Sequence, residues 1–178
     1  MRKLLVALFA ALLMAGCGED SKKPGGDSPE TSQSSTDTID LDDNETRNRI
    51  APEAIDDKTL DSRWVEISTT RKERLKYAPN KQTPYTGWSK WMHYNGQLSG
   101  LSQWKDGKRD GLEVSWYGNG QKNFEATYKD SKIVTAVAWK FNGERCPVTN
   151  VVNGNGVVVK YYRYGVLARN AYKDGFID

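Results

Sequence analysis

The feature that most constrains this fold is a stretch typical of one β-hairpin, Gly111 to Asp130. Two runs that alternate apolar and polar residues, Leu112 to Tyr117 and Lys122 to Tyr128, flank the dipeptide Asn119-Gly120. Asn-Gly between two alternating runs is the strongest short-range hairpin signal, because both central residues of a type I′ turn need positive φ. We therefore expect two antiparallel strands joined by a tight type I′ turn.

The same pattern recurs along the chain, because the glycines of successive turns are separated by 24, 23 and 22 residues. The first, second and fourth units also have a second turn, in which Asp precedes Gly or Ser and an aromatic residue stands two positions before the Asp. A period of 20–50 residues is typical of stacked supersecondary units. The first turns are predicted at Asn95-Gly96, Asn119-Gly120, Asn142-Gly143 and Gly165, and the second turns at Asp106, Asp130 and Asp174.

Each unit is therefore predicted as strand, turn, strand, turn, which gives an all-β fold of consecutive hairpins. One isolated hairpin is marginal in water, whereas three or more strands that share an apolar face are stable. All six Trp and all nine Tyr lie at or after residue 64, so we expect the folded domain to span residues 63–178. The third unit loses its second half at Cys146-Pro147, where we expect a distorted or capping end.

Four units in register resemble the MORN-repeat variant of bacterial YwqK-family antitoxins. The resemblance rests on Gly111-x(4)-Trp116-Tyr117-x-Asn119-Gly120 and its counterparts, linked by Asp106 to Gly111, and covers about residues 75 to 178. It implies an elongated, twisted antiparallel sheet of consecutive hairpins, without implying an enzyme. MORN-like repeats are similar to scaffolds that bind proteins or phospholipids, and the antitoxin name would imply binding to a toxin protein.

Residues 1–16 are typical of an export signal. Arg2-Lys3 precede an apolar run, Leu4 to Met14, that is too short to span a bilayer. The sequence from Met14 to Cys17 then resembles a bacterial lipoprotein signal, which implies cleavage before Cys17 and lipidation of its thiol. An ordinary secretory signal cut nearby is the alternative. No Asp follows Cys17 directly, which favours the outer membrane, facing the periplasm or the cell surface, over inner-membrane retention.

Residues 17–62 are predicted to be a disordered acidic tether. From residue 18 to 62 there are 13 acidic and 5 basic residues, a net charge of −8, and no aromatic residue. Such a segment buries too little apolar surface to offset its ordering entropy. A short helix from Pro52 to Leu60 has weak support. From residue 63 onwards there are 19 basic and 10 acidic residues, a net charge of +9.

Little in the sequence indicates catalysis, and we expect no enzyme, cofactor or metal. The one histidine, His93, is predicted on a strand before the first Asn-Gly turn, without flagged catalytic partners. No Cys/His cluster has zinc spacing, and Asp106 with Asp110 comes closest to a calcium pair. Cys146 is predicted to be a buried or half-buried small residue, with a redox or disulfide role as the alternative.

We therefore expect a non-catalytic, membrane-anchored repeat scaffold that binds an envelope or secreted protein. Alternatives are binding of anionic lipid or cell-wall glycan through basic and aromatic side chains, or antitoxin-like binding of a toxin. A nucleic-acid partner is disfavoured for an exported protein, and a hydrolase is the least favoured class. The aromatic side chains can serve the core or a ligand, and the candidate binding face consists of Trp88, Trp91, Trp104, Trp116 and Trp139.

Overall fold

The computed structural model describes residues 39–178, so the predicted signal, Cys17 and the first part of the predicted tether lie outside the described residues. Its helical elements are α1 (Asn44–Glu53) and a 3-10 turn (Asp57–Thr59). The strands are β1 (Ile55–Asp56), β2 (Asp61–Ser68), β3 (Arg71–Tyr77), β4 (Gly87–Met92), β5 (Leu98–Lys105), β6 (Lys108–Trp116), β7 (Lys122–Lys129), β8 (Lys132–Ala138), β9 (Asn150–Val152), β10 (Asn155–Tyr162), β11 (Gly165–Lys173) and β12 (Phe176–Ile177).

Within residues 39–178, ten strands form one sheet and β2 with β3 forms a separate hairpin. From β4 to β12, each strand pairs antiparallel with the next strand of the chain. This order confirms the predicted all-β fold of consecutive hairpins. The sheet is mixed rather than purely antiparallel, because β1 pairs in parallel with the outer edge of β4, with Ile55 opposite Ser89.

Residues 39–60, here called the strap, are folded against the sheet. Leu41, Ile50, Ala54 and Leu60 are all buried. The prediction of a disordered tether is therefore wrong for this segment, and the folded domain begins near residue 39 rather than at residue 63. The segment is polar on average, but Leu41, Ile50 and Ala54 belong to one apolar cluster with side chains of the sheet.

The helix of the strap also begins earlier than the sequence suggested. Asp43 caps α1, because its carboxylate accepts hydrogen bonds from the N–H groups of Glu45 and Thr46. Pro52 lies inside the last turn of this helix, so the predicted helix from Pro52 to Leu60 is wrong. The chain instead continues into β1 and the 3-10 turn at the edge of β4.

The apolar core changes face along the sheet. Beneath the strap, Leu101 and Val114 are fully buried on β5 and β6. On β7 to β10 a second cluster contains Ala126. Ala126 pairs with Glu113, and neighbouring residues of a strand point to opposite faces, so Ala126 and Val114 lie on opposite faces. We call these the Glu113 face and the strap face.

The Asn-Gly turns are not the predicted type I′ turns. Gly120 has φ +83°, but Asn119 does not have positive φ. The Gly120 N–H donates to Tyr117 O (2.9 Å) and the Tyr117 N–H donates to Gln121 O (2.8 Å), which is a type I turn followed by a left-handed glycine. The Asn119 side chain holds this geometry by accepting the Gln121 N–H (3.1 Å). The same arrangement recurs at Asn95-Gly96 and Asn142-Gly143.

The second turn of each unit has positive φ at both central residues, as in Asp130 (+49°) and Ser131 (+66°). These are the type I′ turns of the fold. The Asp130 N–H donates to Oδ2 of Asp110 (3.2 Å), which lies near the start of β6, after the preceding type I′ turn. Equivalent bonds join Asp106 N–H to Thr86 Oγ1 (3.0 Å) and Asp174 N–H to Asn155 Oδ1 (3.2 Å).

The third and fourth units depart from the repeat, as the sequence indicated. After β8, Trp139 forms an isolated bridge with Arg145, and the returning strand β9 has only three residues. In the fourth unit, Gly165 is the first residue of β11 and pairs with Tyr162. The predicted turn at Gly165 is therefore a two-residue connection that precedes this glycine.

Replacement of Ile50 tests whether the strap is part of the folded domain. Ile50→Ala should lower the free energy of unfolding by about 2–5 kcal/mol, because it leaves a cavity beside Leu101 and Val114. Arg49→Ala is the matched control on the exposed side of the same helix and should change it little. Urea denaturation measures both. Equal, small effects would mean that residues 39–60 do not pack on the sheet.

A pair of glycines in one turn tests its geometry. An added methyl group meets no atom within 4 Å at either Gly118 or Gly120, but only Gly120 has positive φ. Gly120→Ala should therefore destabilise the protein by about 1–2 kcal/mol, whereas Gly118→Ala should be neutral or slightly stabilising. Thermal and urea denaturation of both variants give the comparison, and equal losses would contradict the assigned turn.

Candidate functional site

The five tryptophans of the predicted binding face do not form one face. Trp88 and Trp116 pack beneath the strap. Trp104 lies on the Glu113 face, because its Nε1–H donates to Ser89 Oγ (2.8 Å) and Ser89 pairs with Ser102, which pairs with Glu113. Alternation along β4 places Trp91 with Ser89 on that same face.

Packing accounts for most of these rings. Trp104 and Trp116 are buried, at 8 % and 5 % exposure. The Arg47 guanidinium of the strap lies 5.2 Å from the Trp116 ring centre, and the Lys122 ammonium lies 5.0 Å from that of Trp139. Trp116 therefore helps to hold the strap on the sheet, whereas Trp104 packs on the opposite face. Both agree with a role of these aromatic side chains in the core.

A charged cluster occupies the middle of the Glu113 face. Arg109 Nη1 lies 3.2 Å from Glu113 Oε2, and the Glu113 side chain is only 12 % exposed. The Arg109 guanidinium lies 5.5 Å from the ring centres of both Trp104 and Tyr128. Sequence reasoning missed this cluster. Its only signal was that Glu113 shares one face of the predicted strand with Ser115, opposite the apolar Leu112, Val114 and Trp116.

Burial dominates the electrostatics of this cluster. It raises the pKa of the Glu113 carboxyl above its usual range, although the Arg109 guanidinium opposes the shift. Burial also raises the pKa of the Tyr128 and Tyr172 hydroxyls, and the neighbouring Glu113 charge adds to the shift. Among the described residues, Glu113 Oε2, Ser102 Oγ and Arg109 Nε are buried atoms without a well-aligned hydrogen bond. The cluster is thus a costly polar centre inside the sheet.

His93 lies one residue beyond β4, in the turn rather than on the strand as predicted. Its Nε2 lies 3.1 Å from Trp116 O of the next unit. Tyr117, at the equivalent position, donates its hydroxyl to Trp139 O (2.7 Å). His93 therefore occupies a position that joins successive turns.

Cys146 is buried at 1 % exposure, which confirms the predicted burial. Its Sγ lies 3.1 Å from the Tyr161 hydroxyl and accepts the Thr149 N–H (3.3 Å). Burial disfavours the thiolate, but these hydrogen bonds outweigh it and lower the pKa of the thiol. Within the described part of the chain Cys146 is a free cysteine.

The surplus of basic residues in the folded domain is partly neutralised by ion pairs. Glu73 pairs with Arg71 and with Lys108 (2.6 Å to the Lys108 ammonium), and the Lys108 ammonium lowers the pKa of Glu73. Asp110 pairs with Lys129 (2.9 Å) rather than with Asp106. Arg71, Glu73, Lys108 and Lys129 line a cavity of about 840 Å³ between the β2–β3 hairpin and the type I′ turns. Its charges are mixed rather than uniformly positive.

An open edge at the end of the sheet is an exposed apolar feature that the sequence did not single out. Val166 is 62 % and Leu167 is 68 % exposed on β11. The last strand, β12, pairs with β11 only at Tyr172 and Lys173. The part of β11 before residue 171 therefore presents backbone groups without a strand on their outer side.

A membrane-spanning helix and a group of metal ligands are both absent from the described residues. No helix there is both long enough and apolar enough to cross a membrane. In that same part of the chain, no three His, Cys, Asp or Glu side chains are grouped so as to hold a metal ion.

Comparisons of the chain with protein-family models, with curated proteins and with solved structures found no match.

The buried carboxyl predicts a specific pH dependence. Because the folded-state pKa of Glu113 is raised, its contribution to stability is complete below the unfolded pKa and is lost as pH rises through the folded pKa. Glu113→Gln removes this loss. Urea denaturation between about pH 4 and pH 8 should show the variant gaining stability relative to wild type as pH rises. A constant difference, or one that shrinks with rising pH, would contradict the assignment.

Proposed function

We propose that this protein is a non-catalytic binding module, anchored by lipid at Cys17 to the bacterial envelope, that takes an extended segment of a partner protein on the open edge of β11. The single observation that carries the proposal is the unpaired, apolar outer side of β11. An exposed sheet edge offers a row of backbone donors and acceptors, to which an extended peptide can add as a further strand.

The direction of the backbone groups supports this edge. Ala171 O accepts the Asp178 N–H (3.1 Å), so the Ala171 carbonyl points away from β10. Backbone groups alternate in direction along an antiparallel strand, and the Arg169 N–H therefore points outward as well. Among the described residues no strand lies beside it.

Natural sheets usually protect an edge with Lys, Pro or a covering loop. From residue 165 to 171, the outer strand has the sequence GVLARNA, with one charged residue and no proline. The opposite edge of the sheet is covered at its middle, because β1 pairs with Ser89 and Lys90 of β4 and the Lys90 ammonium donates to Ala51 O of the helix. At the β11 end, β12 covers only Tyr172 and Lys173 and leaves residues 165–170 without a neighbour on their outer side among the described residues, which supports a binding role for β11.

The resemblance to lipoprotein signals and to MORN-like scaffolds supports an envelope location and a protein partner. Binding of anionic lipid or cell-wall glycan is the alternative, and toxin binding is a further one. The lipid alternative has less support, because Arg71, Lys108 and Lys129 are paired with carboxylates. Addition of a peptide strand to β11 depends on backbone hydrogen bonds and does not require unpaired basic side chains.

Crosslinking in cells of the native organism, followed by pull-down and mass spectrometry, tests the proposal. Leu167→Lys places a charge on the edge and should reduce recovery of the crosslinked partner at least about tenfold, because Lys on an edge blocks strand addition. Tyr94→Lys is the matched control, since Tyr94 is fully exposed on the turn after β4, at the other end of the strand order.

Equal recovery of one partner by wild type and Leu167→Lys would contradict the edge as the binding site. Both variants should unfold at the temperature of the wild type, because both positions are exposed. A Cys17→Ser variant should lose membrane association and change the set of recovered proteins. Recovery of lipid or peptidoglycan fragments without any protein would favour the alternative function.

A further inference from the structure

We infer that the β11 edge selects an acidic, extended peptide in which carboxylate side chains lie beside Arg169 and apolar side chains lie beside Val166 and Leu167. This inference rests on the proposed function and adds the chemistry of the partner. It follows from the charged and apolar side chains that lie along this edge.

The cations beside this edge are free of carboxylates. Arg163, Arg169 and Lys173 are all exposed, and among the described residues none of them forms an ion pair. On β6 and β7, Lys108, Arg109, Lys122 and Lys129 each bind a carboxylate, whereas Lys90, Lys105 and Lys132 of the same sheet form no ion pair within residues 39–178. From residue 155 to 178 there are four basic and two acidic residues, so the local net charge is +2.

The register of β11 arranges these charges in a row. Arg169 and Lys173 are four residues apart in a strand, so they point to the same face and lie about 13 Å apart. The Ala171 side chain lies between them and is exposed, so it covers neither charge. Lys173 pairs with Phe176 of β12, so an added strand would lie beside Arg169 and end near Lys173. Opposite charges on neighbouring strands stabilise a sheet.

The apolar side chains lie at the other end of the same edge. Val166 and Leu167 follow the turn that precedes β11, and a register shift on β10 between Lys160 and Tyr161 accompanies them. Because the apolar and the basic parts are separate, the edge favours a segment with apolar residues at one end and acidic residues at the other. A uniformly apolar strand would leave Arg169 without a counter-charge.

A second copy of this chain fits the edge less well. Within β11 no acidic residue is available to pair with Arg169 of another copy. Edge-to-edge pairing of two copies would bring two regions of net charge +2 together, and like charges on adjacent strands are destabilising. An acidic peptide removes this repulsion and pairs the same backbone groups.

Three labelled synthetic peptides of equal length test the inference by fluorescence anisotropy. Each combines two valines at one end with an alternating segment that contains Glu, Lys or Ser. The protein is the chain from residue 17 with Cys17→Ser. The Glu peptide should bind about tenfold or more tightly than the Lys peptide, and added salt should reduce the difference.

Arg169→Gln should weaken binding of the Glu peptide about two- to fivefold, the effect of one cross-strand ion pair, and leave the Ser peptide unchanged. Lys58→Gln is the matched control, because it removes one exposed positive charge from the strap beside the opposite edge. Equal affinity for the Glu and Lys peptides, or no effect of Arg169→Gln, would overturn the acidic selectivity.

The same experiment separates failure of this inference from failure of the proposed function. If all three peptides bind equally and Leu167→Lys abolishes binding, the edge function stands and the acidic selectivity is wrong. If no peptide binds, both the peptide-binding function of the edge and its acidic selectivity are wrong. A dimer in light scattering that Leu167→Lys dissolves would assign the edge to a second copy and overturn the inference.

Discussion

Hydrogen bonds between one repeat and the next are the interaction on which the rest of the structure depends. At one end of the strands, the Asp130 N–H binds the Asp110 carboxylate, 20 residues earlier. At the other end, the Tyr117 hydroxyl binds Trp139 O, 22 residues later. Because a slip of one residue turns every side chain to the other face, these bonds determine which side chains reach the strap and which surround Glu113.

The repeat predicted the strand order, because each Gly-centred turn signals a hairpin and consecutive hairpins pair. It did not predict the turn type, since both a type I′ turn and a type I turn with a following bulge place Gly120 at positive φ. It also missed the strap. The composition of residues 39–60 is polar on average, although four of their apolar side chains are buried. Ile50, for example, lies in a stretch that is otherwise polar.

The site was less predictable than the fold. Alternation shows which residues share a face, but it does not show which face another segment covers. Trp88 and Trp116 therefore resembled a ligand surface, whereas the strap occupies that side of the sheet. The open edge of β11 exists because β12, the strand that follows, has only two residues. The sequence of β11 itself does not indicate that its neighbour is so short. The Glu113 cluster could not be recognised without the register between β5 and β6, which places Ser102 opposite Glu113 and Trp104 opposite Arg109.

Amide hydrogen exchange along β11, measured by NMR on the monomeric protein, tests the central claim most directly. The claim is that the sheet is complete on the β10 side of β11 and open on its outer side. The Asn170 amide, which points to β10, should exchange slowly, whereas the Arg169 amide should exchange at close to the rate of an unstructured peptide. Equal and strong protection of both amides would contradict the open edge.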